Sequence, residues 1–280
     1  MKIAVASGKG GTGKTLVSTN LFSVLKDSAF LDCDVEEPNG HIFLKPNETK
    51  IIPVDVKTPV VDEAKCSHCG KCAQVCNFNA ILSAKQKVLV FPELCHSCGS
   101  CSYFCPENAI SEQSREIGNI KVDTNKHIYT GRLNIGEPMA PPVIKLLKNC
   151  ITKNYKDIVL DAPPGTSCPV VETIAGVDYV VLVTEATPFG LNDLKLAVEV
   201  VKKTNIPVGV VVNKTFEEET LIAKYCESEN IPVLLNIPHD NWIASEYSKG
   251  NLITSNEEYK NMFIKLREDI QNDLKGRSLC

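Results

Sequence analysis

Met1-Lys2-Ile3-Ala4-Val5-Ala6-Ser7-Gly8-Lys9-Gly10-Gly11-Thr12-Gly13-Lys14-Thr15 opens the chain and decides its fold. Residues 2–6 form a short apolar strand and residues 7–13 a glycine-rich turn. Residues 15–25 then place Leu16, Leu21, Val24 and Leu25 at helical spacing. Gly8 to Thr15 fits G-x-x-x-x-G-K-[ST] in the strand–turn–helix context that motif requires. The glycines let backbone N–H groups close on phosphate oxygens. Lys14 is expected to reach the β and γ phosphates and the Thr15 hydroxyl to bind Mg²⁺. The positive end of the helix adds to the anion site. A tight turn with accidental glycines would not account for the agreement of motif and context.

The pattern continues outward. Residues 29–31 predict a strand ending at Asp32, the second strand of a parallel α/β sheet. After an interruption the alternation resumes: helix over 142–150, strands over 157–160, 179–183, 208–212 and 233–235, helices over 191–202 and 217–227, and a closing helix over 259–274. The strand runs are rich in Val, Ile and Leu with little alternation, as when helices cover both faces. Residues 120–134 read as a small hairpin turning at Thr124-Asn125-Lys126. The fold class is therefore α/β, a mainly parallel sheet flanked by helices. It is built from residues 1–60 and 112–280, with a small unit at 61–111 inserted between them.

That unit holds eight of the chain's 13 cysteines. Cys66, Cys69, Cys72 and Cys76, followed by Asn79-Ala80-Ile81, recur as Cys95, Cys98, Cys101 and Cys105, followed by Asn108-Ala109-Ile110, at a constant offset of 29 residues. Such duplication predicts pseudo-two-fold symmetry. C-x-x-C-x-x-C-x-x-x-C is the bacterial spacing for a 4Fe–4S cluster. A zinc ribbon would use four of the eight thiols and leave the third and fourth of each run without a role. The unit resembles a two-cluster bacterial ferredoxin. That resemblance assigns Cys66, Cys69, Cys72 and Cys105 to one cluster and Cys76, Cys95, Cys98 and Cys101 to the other. Pro106 follows Cys105 as the pattern asks, whereas Asn77 follows Cys76. His68 and His96 are expected to be polar neighbours of the clusters, not ligands. The default reading of Cys33, Cys150, Cys226 and Cys280 is as small buried residues. Cys168 differs because it follows Gly165 by three residues. It has no C-x-x-C companion with which to bridge two subunits.

Lys9, a second lysine at the start of the phosphate loop, resembles the deviant Walker A signature of the MinD-like ATPases, a family that includes the nitrogenase iron protein and the Mrp-type cluster carriers. The resemblance implies ATP as the nucleotide and a homodimer, or a heterodimer with a related chain, closed around it. Lys9 would act on the partner's nucleotide. Asp32-Cys33-Asp34 resembles switch I, with Asp34 orienting the attacking water. Asp161-Ala162-Pro163-Pro164-Gly165 resembles switch II, with Asp161 linked to Mg²⁺. Asn213 and Lys214 stand at the base-reading position, and Pro238, His239 and Asp240 where the adenine pocket closes. Each acid falls at a strand C-terminus, the ligand-binding edge of an open α/β sheet.

Composition narrows the remaining classes. The net charge of −4 does not favour nucleic acid or anionic lipid. No run approaches the ~18 apolar residues of a membrane span, and the N-terminus lacks the layout of a signal peptide, so a cytoplasmic chain with reduced cysteines is expected. The closing helix carries Met262, Phe263, Leu266, Ile270 and Leu274 on one face and mixed charges on the other, which predicts packing on its own core and not on a membrane. The functional expectation is an ATPase that couples nucleotide-driven dimerisation to electron transfer or metallocofactor handling with a redox partner. A cluster-assembly scaffold and a positioning ATPase with redox-sensing clusters are the alternatives.

Overall fold

The computed structural model describes residues 1–84, 86–216 and 220–277. Strands β1 (Lys2–Ala6), β2 (Ser28–Asp32) and β3 (Lys50–Val61) precede a small hairpin of β4 (Ile81–Ala84) and β5 (Lys87–Val90). β6 (Ile110–Asp123), β7 (Ile128–Leu133), β8 (Asp157–Asp161), β9 (Tyr179–Glu185), β10 (Val208–Thr215) and β11 (Val233–Pro238) follow. All but β4 and β5 join one nine-stranded sheet in the order β11-β10-β9-β1-β8-β2-β7-β6-β3. Pairing is parallel from β11 to β7 and antiparallel from β7 through β6 to β3.

Apolar residues point to both faces, because helices cover both. On one face Ile3, Val5, Phe30 and Val181 pack under α1 (Lys14–Ser23) and the closing helix, through Leu16, Leu21, Phe263, Leu266 and Ile270. On the other, Ala4, Leu31, Val180 and Leu182 meet α5 (Pro141–Asn149), α6 (Cys168–Ile174), α7 (Pro188–Lys202) and α8 (Leu221–Ser228). The remaining helices are short: α2 (Gly40–Leu44), α3 (Lys71–Gln74), α4 (Ser100–Tyr103) and α9 (Asn241–Ser248), the last leading to α10 (Glu257–Arg277), which is the closing helix. Its apolar stripe packs inward as expected. None of the helices among the described residues is long and apolar enough to cross a membrane. The expected helix over 217–227 is α8; residues 217–219 of it lie outside the described residues, as does Cys280.

Residues 120–134 form the expected hairpin, with β6 and β7 paired antiparallel from Gly118↔Leu133 to Asp123↔Ile128 around the turn. It is part of a longer element: β6 begins ten residues earlier, at Ile110, and with β7 it joins the antiparallel side of the main sheet. β3, which the sequence reading left without structure, pairs with β6 along its whole length, from Lys50↔Val122 to Val61↔Ile110. Its exposed and buried residues alternate only in the middle, from Pro53 to Thr58, and Pro53 and Pro59 obscure the pattern. An edge strand tolerates both prolines.

β3 and β6 hand the chain to residues 62–109, which follow a two-fold plan. Asp62 N donates to Ala109 O (2.7 Å) and Phe91 N to Ala80 O (2.8 Å), the same bond with the two copies exchanged. α3 and α4 are equivalent under the 29-residue offset, each capped by a left-handed glycine, Gly70 (φ 76°) and Gly99 (φ 71°). Left-handed Asn79 matches left-handed Asn108.

Candidate functional site: a phosphate-loop cleft and two thiol-lined hollows

The sheet edge where β1, β2, β8 and β10 end builds the first site. The chain leaves β1 at Ala6, turns through Gly8 to Gly13 and enters α1 at Lys14. Gly13 adopts φ 100°, and a Cβ there would fall 2.2 Å from Asn213 Nδ2, so this position demands glycine twice over. Asn213 donates from that nitrogen to Thr12 O (2.8 Å) and accepts from Lys214 N (2.9 Å). Its amide thus braces the phosphate loop from the next strand but one.

A cleft of about 480 Å³ opens along this edge, within the range of small-molecule sites. Gly10, Gly11, Gly13, Lys14 and Thr15 form one wall, and Asp34, Pro164, Asn213, Lys214, Pro238, His239 and Asp240 also line it. The structure therefore gathers most of the residues named from sequence around one cavity. Asp240 caps α9 by accepting from Trp242 N (2.7 Å) and takes the Tyr259 hydroxyl at 2.6 Å; these bonds hold its carboxyl below the usual range. His239 stacks on Phe216 with ring centroids 5.1 Å apart.

Beneath the loop, Asp161 and Asp32 are buried at the ends of adjacent strands, and Lys14 is buried beside them. Burial lowers the Lys14 ammonium, and the charges of Asp161 and Asp34 partly restore it. Burial pushes the Asp161 carboxyl up to about 7, against the Thr15 hydroxyl and Lys14, which favour its ionised form. Asp34 is raised to about 6 by burial, with Lys14 opposing. Asp32 rises well above the carboxylate range through burial and the neighbouring Asp161, although its Oδ2 accepts Gly40 N at 2.9 Å. Both Asp161 oxygens, Asp32 Oδ1 and Thr12 Oγ1 are buried without a well-formed hydrogen bond. Orphaned oxygens beside a phosphate loop are the donor set a hydrated Mg²⁺ on a nucleotide would complete.

Asp32, the first residue of the segment that resembles switch I, lies beside Asp161 and holds the turn to α2 through Gly40 N. Two residues to which the sequence did not point also belong to this site. Tyr247 lines the cleft from α9, an element with no apolar period strong enough to predict. Glu185, at the end of β9, holds Lys214 at 2.6 Å and Lys9 at 3.6 Å. Its position at a strand C-terminus was the available signal.

The second site lies in residues 62–109. Cys66, Cys69, Cys72 and Cys105 line one hollow; Cys76, Cys95, Cys98 and Cys101 line another. The fourth thiol of each run thus sits with the first three of the other copy. Backbone N–H groups point at sulfur in matched pairs: Ala80 to Cys76 and Ala109 to Cys105, each at 3.3 Å. Ser97 N also reaches Cys95 sulfur at 3.4 Å. Four thiols and N–H···S bonds around each hollow match the chemistry of a four-iron cluster. Among the described residues no three His, Cys, Asp or Glu side chains converge on one metal ion. His68 Nδ1 stands 3.8 Å from Cys66 sulfur, and His96 stacks on Phe78 at 3.7 Å. Cys168 is exposed at the start of α6, whereas Cys33 and Cys226 are buried and Cys150 half-buried.

The chain is 32% identical over 268 residues to the uncharacterized protein MJ0579 of Methanocaldococcus jannaschii, covering 93% of this chain and 94% of that one. It is 24% identical over 233 residues to an iron-sulfur cluster carrier protein of Pyrococcus horikoshii, covering 80% of this chain and 64% of the carrier. The structure of the septum site-determining protein MinD of Pyrococcus horikoshii, complexed with Mg-ADP, shares the fold with a TM-score of 0.58 and 19% identity, covering 96% of this chain and 95% of that one. The model of the CobQ/CobB/MinD/ParA nucleotide binding domain matches residues 3–253, and the chain belongs to that family of P-loop nucleotide-binding proteins.

Proposed function

We propose that this chain is an ATPase that carries two 4Fe–4S clusters on residues 61–111 and couples nucleotide-driven dimerisation to electron transfer with a redox partner. One observation carries the reading: eight thiols divide into two sets of four around two hollows, in a segment whose flanking strands, β3 and β6, belong to the nucleotide-binding sheet. A 4Fe–4S cluster supplies a one-electron couple when bound. The chain's own residues do the rest. Lys14 and the loop N–H groups hold the β and γ phosphates, Thr15 and Asp161 hold Mg²⁺, and Asp34 orients water. Lys9 stabilises charge on the partner's nucleotide.

Anaerobic iron counting with EPR of the dithionite-reduced protein tests this. About eight irons per chain, four for each cluster, and a reduced signal that shifts with MgATP are expected. Bound zinc with almost no iron would overturn the cluster assignment. Similarity to a cluster carrier favours a second reading, in which the clusters are cargo. Transfer of iron to an apo-acceptor would support that reading, and full retention under chelator would remove it. A positioning ATPase would follow from fold alone; MgATP-dependent binding to liposomes would revive it.

A further inference from the structure

Within residues 62–109 the two hollows are equivalent, because the two-fold repeat exchanges them. The attachment to the nucleotide-binding core is not symmetric. The hollow of Cys66, Cys69, Cys72 and Cys105 takes its whole lining from residues 61–110. The hollow of Cys76, Cys95, Cys98 and Cys101 also uses Lys57, Pro59 and Glu112 of β3 and β6. At Ser97, Cys98 and Gly99 it borders a groove whose far side is Pro141, Pro142 and Lys145 of α5 and Glu172 of α6.

A continuous set of contacts links that side to the phosphate loop. Gly165 N donates to Ser7 O at 3.0 Å, tying the loop after Asp161 to the start of the phosphate loop. That loop runs directly into α6. Lys148 of α5 donates to Glu172 O (2.5 Å) and Ala175 O (2.7 Å), fastening α5 to the end of α6. Just before α5, Glu137 pairs with Arg115 of β6, and Arg115 Nη2 donates to Pro92 O at 3.2 Å, three residues before Cys95. The 29-residue offset places Gln86 opposite Arg115, so among the described residues the first copy offers no arginine for a second bracket of this kind. Arg115 Nε and Glu137 Oε2 are buried with no further partner. A half-buried ion pair that leaves two buried atoms without a partner is a poor source of stability, which suits a contact kept for position.

We infer that Arg115 is a positioning residue through which the nucleotide state reaches the Cys76/Cys95/Cys98/Cys101 hollow selectively, leaving the Cys66/Cys69/Cys72/Cys105 hollow unaffected. The inference rests on the proposed function, and a displacement of α6 and α5 on binding MgATP would move the Glu137–Arg115–Pro92 bracket with it. The decisive measurement is amide hydrogen exchange on the anaerobic, iron-loaded full chain, with and without a non-hydrolysable MgATP analogue. Iron content and analogue affinity are determined on the same sample. Exchange in residues 92–99 should change by about threefold or more, while the symmetry-related residues 63–70 stay constant. In Arg115→Ala the change at 92–99 should vanish with iron content and analogue affinity retained. Arg115→Lys should restore part of it, and Lys148→Gln should weaken it from the α6 end. An equal response in both segments, no response in either, or an undiminished response in Arg115→Ala together with Lys148→Gln would overturn the inference. Loss of iron or of analogue binding in the unaltered chain would instead overturn the proposed function.

Discussion

The three carboxyl groups beside Lys14 set a pH dependence whose sign follows from their shifts. Asp34 and Asp161 hold protons more tightly when folded, near 6 and 7, than in the unfolded chain, near 3.8. Their contribution to the stability of the nucleotide-free protein is therefore full below about 4 and is lost as pH rises through 6 to 7. Magnesium needs the ionised forms, so MgATP affinity runs the other way and increases with pH over the same window. Calorimetry should show a larger MgATP-induced rise in Tm at pH 8 than at pH 6. Asp161→Asn removes a costly buried charge, so it should raise the nucleotide-free Tm at pH 8 by roughly 2–4 °C while abolishing the MgATP response. A lowered Tm would show that the carboxylate stabilises the empty site. At Gly13 the opposite trade is expected. Gly13→Ala forces a left-handed alanine against Asn213 and should cost about 1–3 kcal/mol, read as a lower denaturation midpoint with nucleotide binding lost.

At the scale of elements, β3 and β6 show what the sequence disclosed and what it hid. The parallel strands were legible because each is a short run of Val, Ile and Leu buried on both faces, and the phosphate loop because its glycines and lysine have a single geometric use. The two runs of four cysteines were legible from their spacing, whereas the exchange of each fourth thiol between the runs came only from the resemblance to two-cluster ferredoxins. β3 was hidden by Pro53, Pro59 and its charged alternate residues, which are compatible with a loop until β6 is seen beside it. Glu185 and Tyr247 were hidden because their roles depend on which strand ends share an edge, a property of the whole sheet. The pairing of Val61 with Ile110 leads to an expectation about this element. Replacing residues 62–109 by a two-residue Asn-Gly turn should leave an ordinary β-hairpin. The shortened chain should bind MgATP within about threefold of the full chain, because the cleft shares no residue with the excised segment. Insoluble or nucleotide-blind product would mean that the segment supports the core.

Lys9 raises the question of assembly for the whole molecule. In the single chain it is half-exposed and lies near Glu185, which binds Lys214 more closely. An exposed pair of this kind holds Lys9 by no more than about 1 kcal/mol, little enough for a second subunit's triphosphate to take it. Under the proposed dimer, Lys9→Ala should keep ATP binding and reduce hydrolysis by about 10²–10³-fold, the usual effect of deleting one charge-stabilising donor. Complementation then decides which partner the chain uses. In a two-fold dimer each site combines Asp161 of one subunit with Lys9 of the other. A Lys9→Ala chain paired with an Asp161→Asn chain has one site carrying both defects and one site intact. Half the dimers in an equal mixture are of this mixed kind, so two nearly inactive proteins should together recover about a quarter of the unaltered rate. No recovery would mean that Lys9 serves its own site or that the natural partner is a different, related chain. The size of the unaltered chain in MgATP separates those two: a homodimer leaves Lys9 serving its own site, and a monomer leaves a different, related chain as the partner.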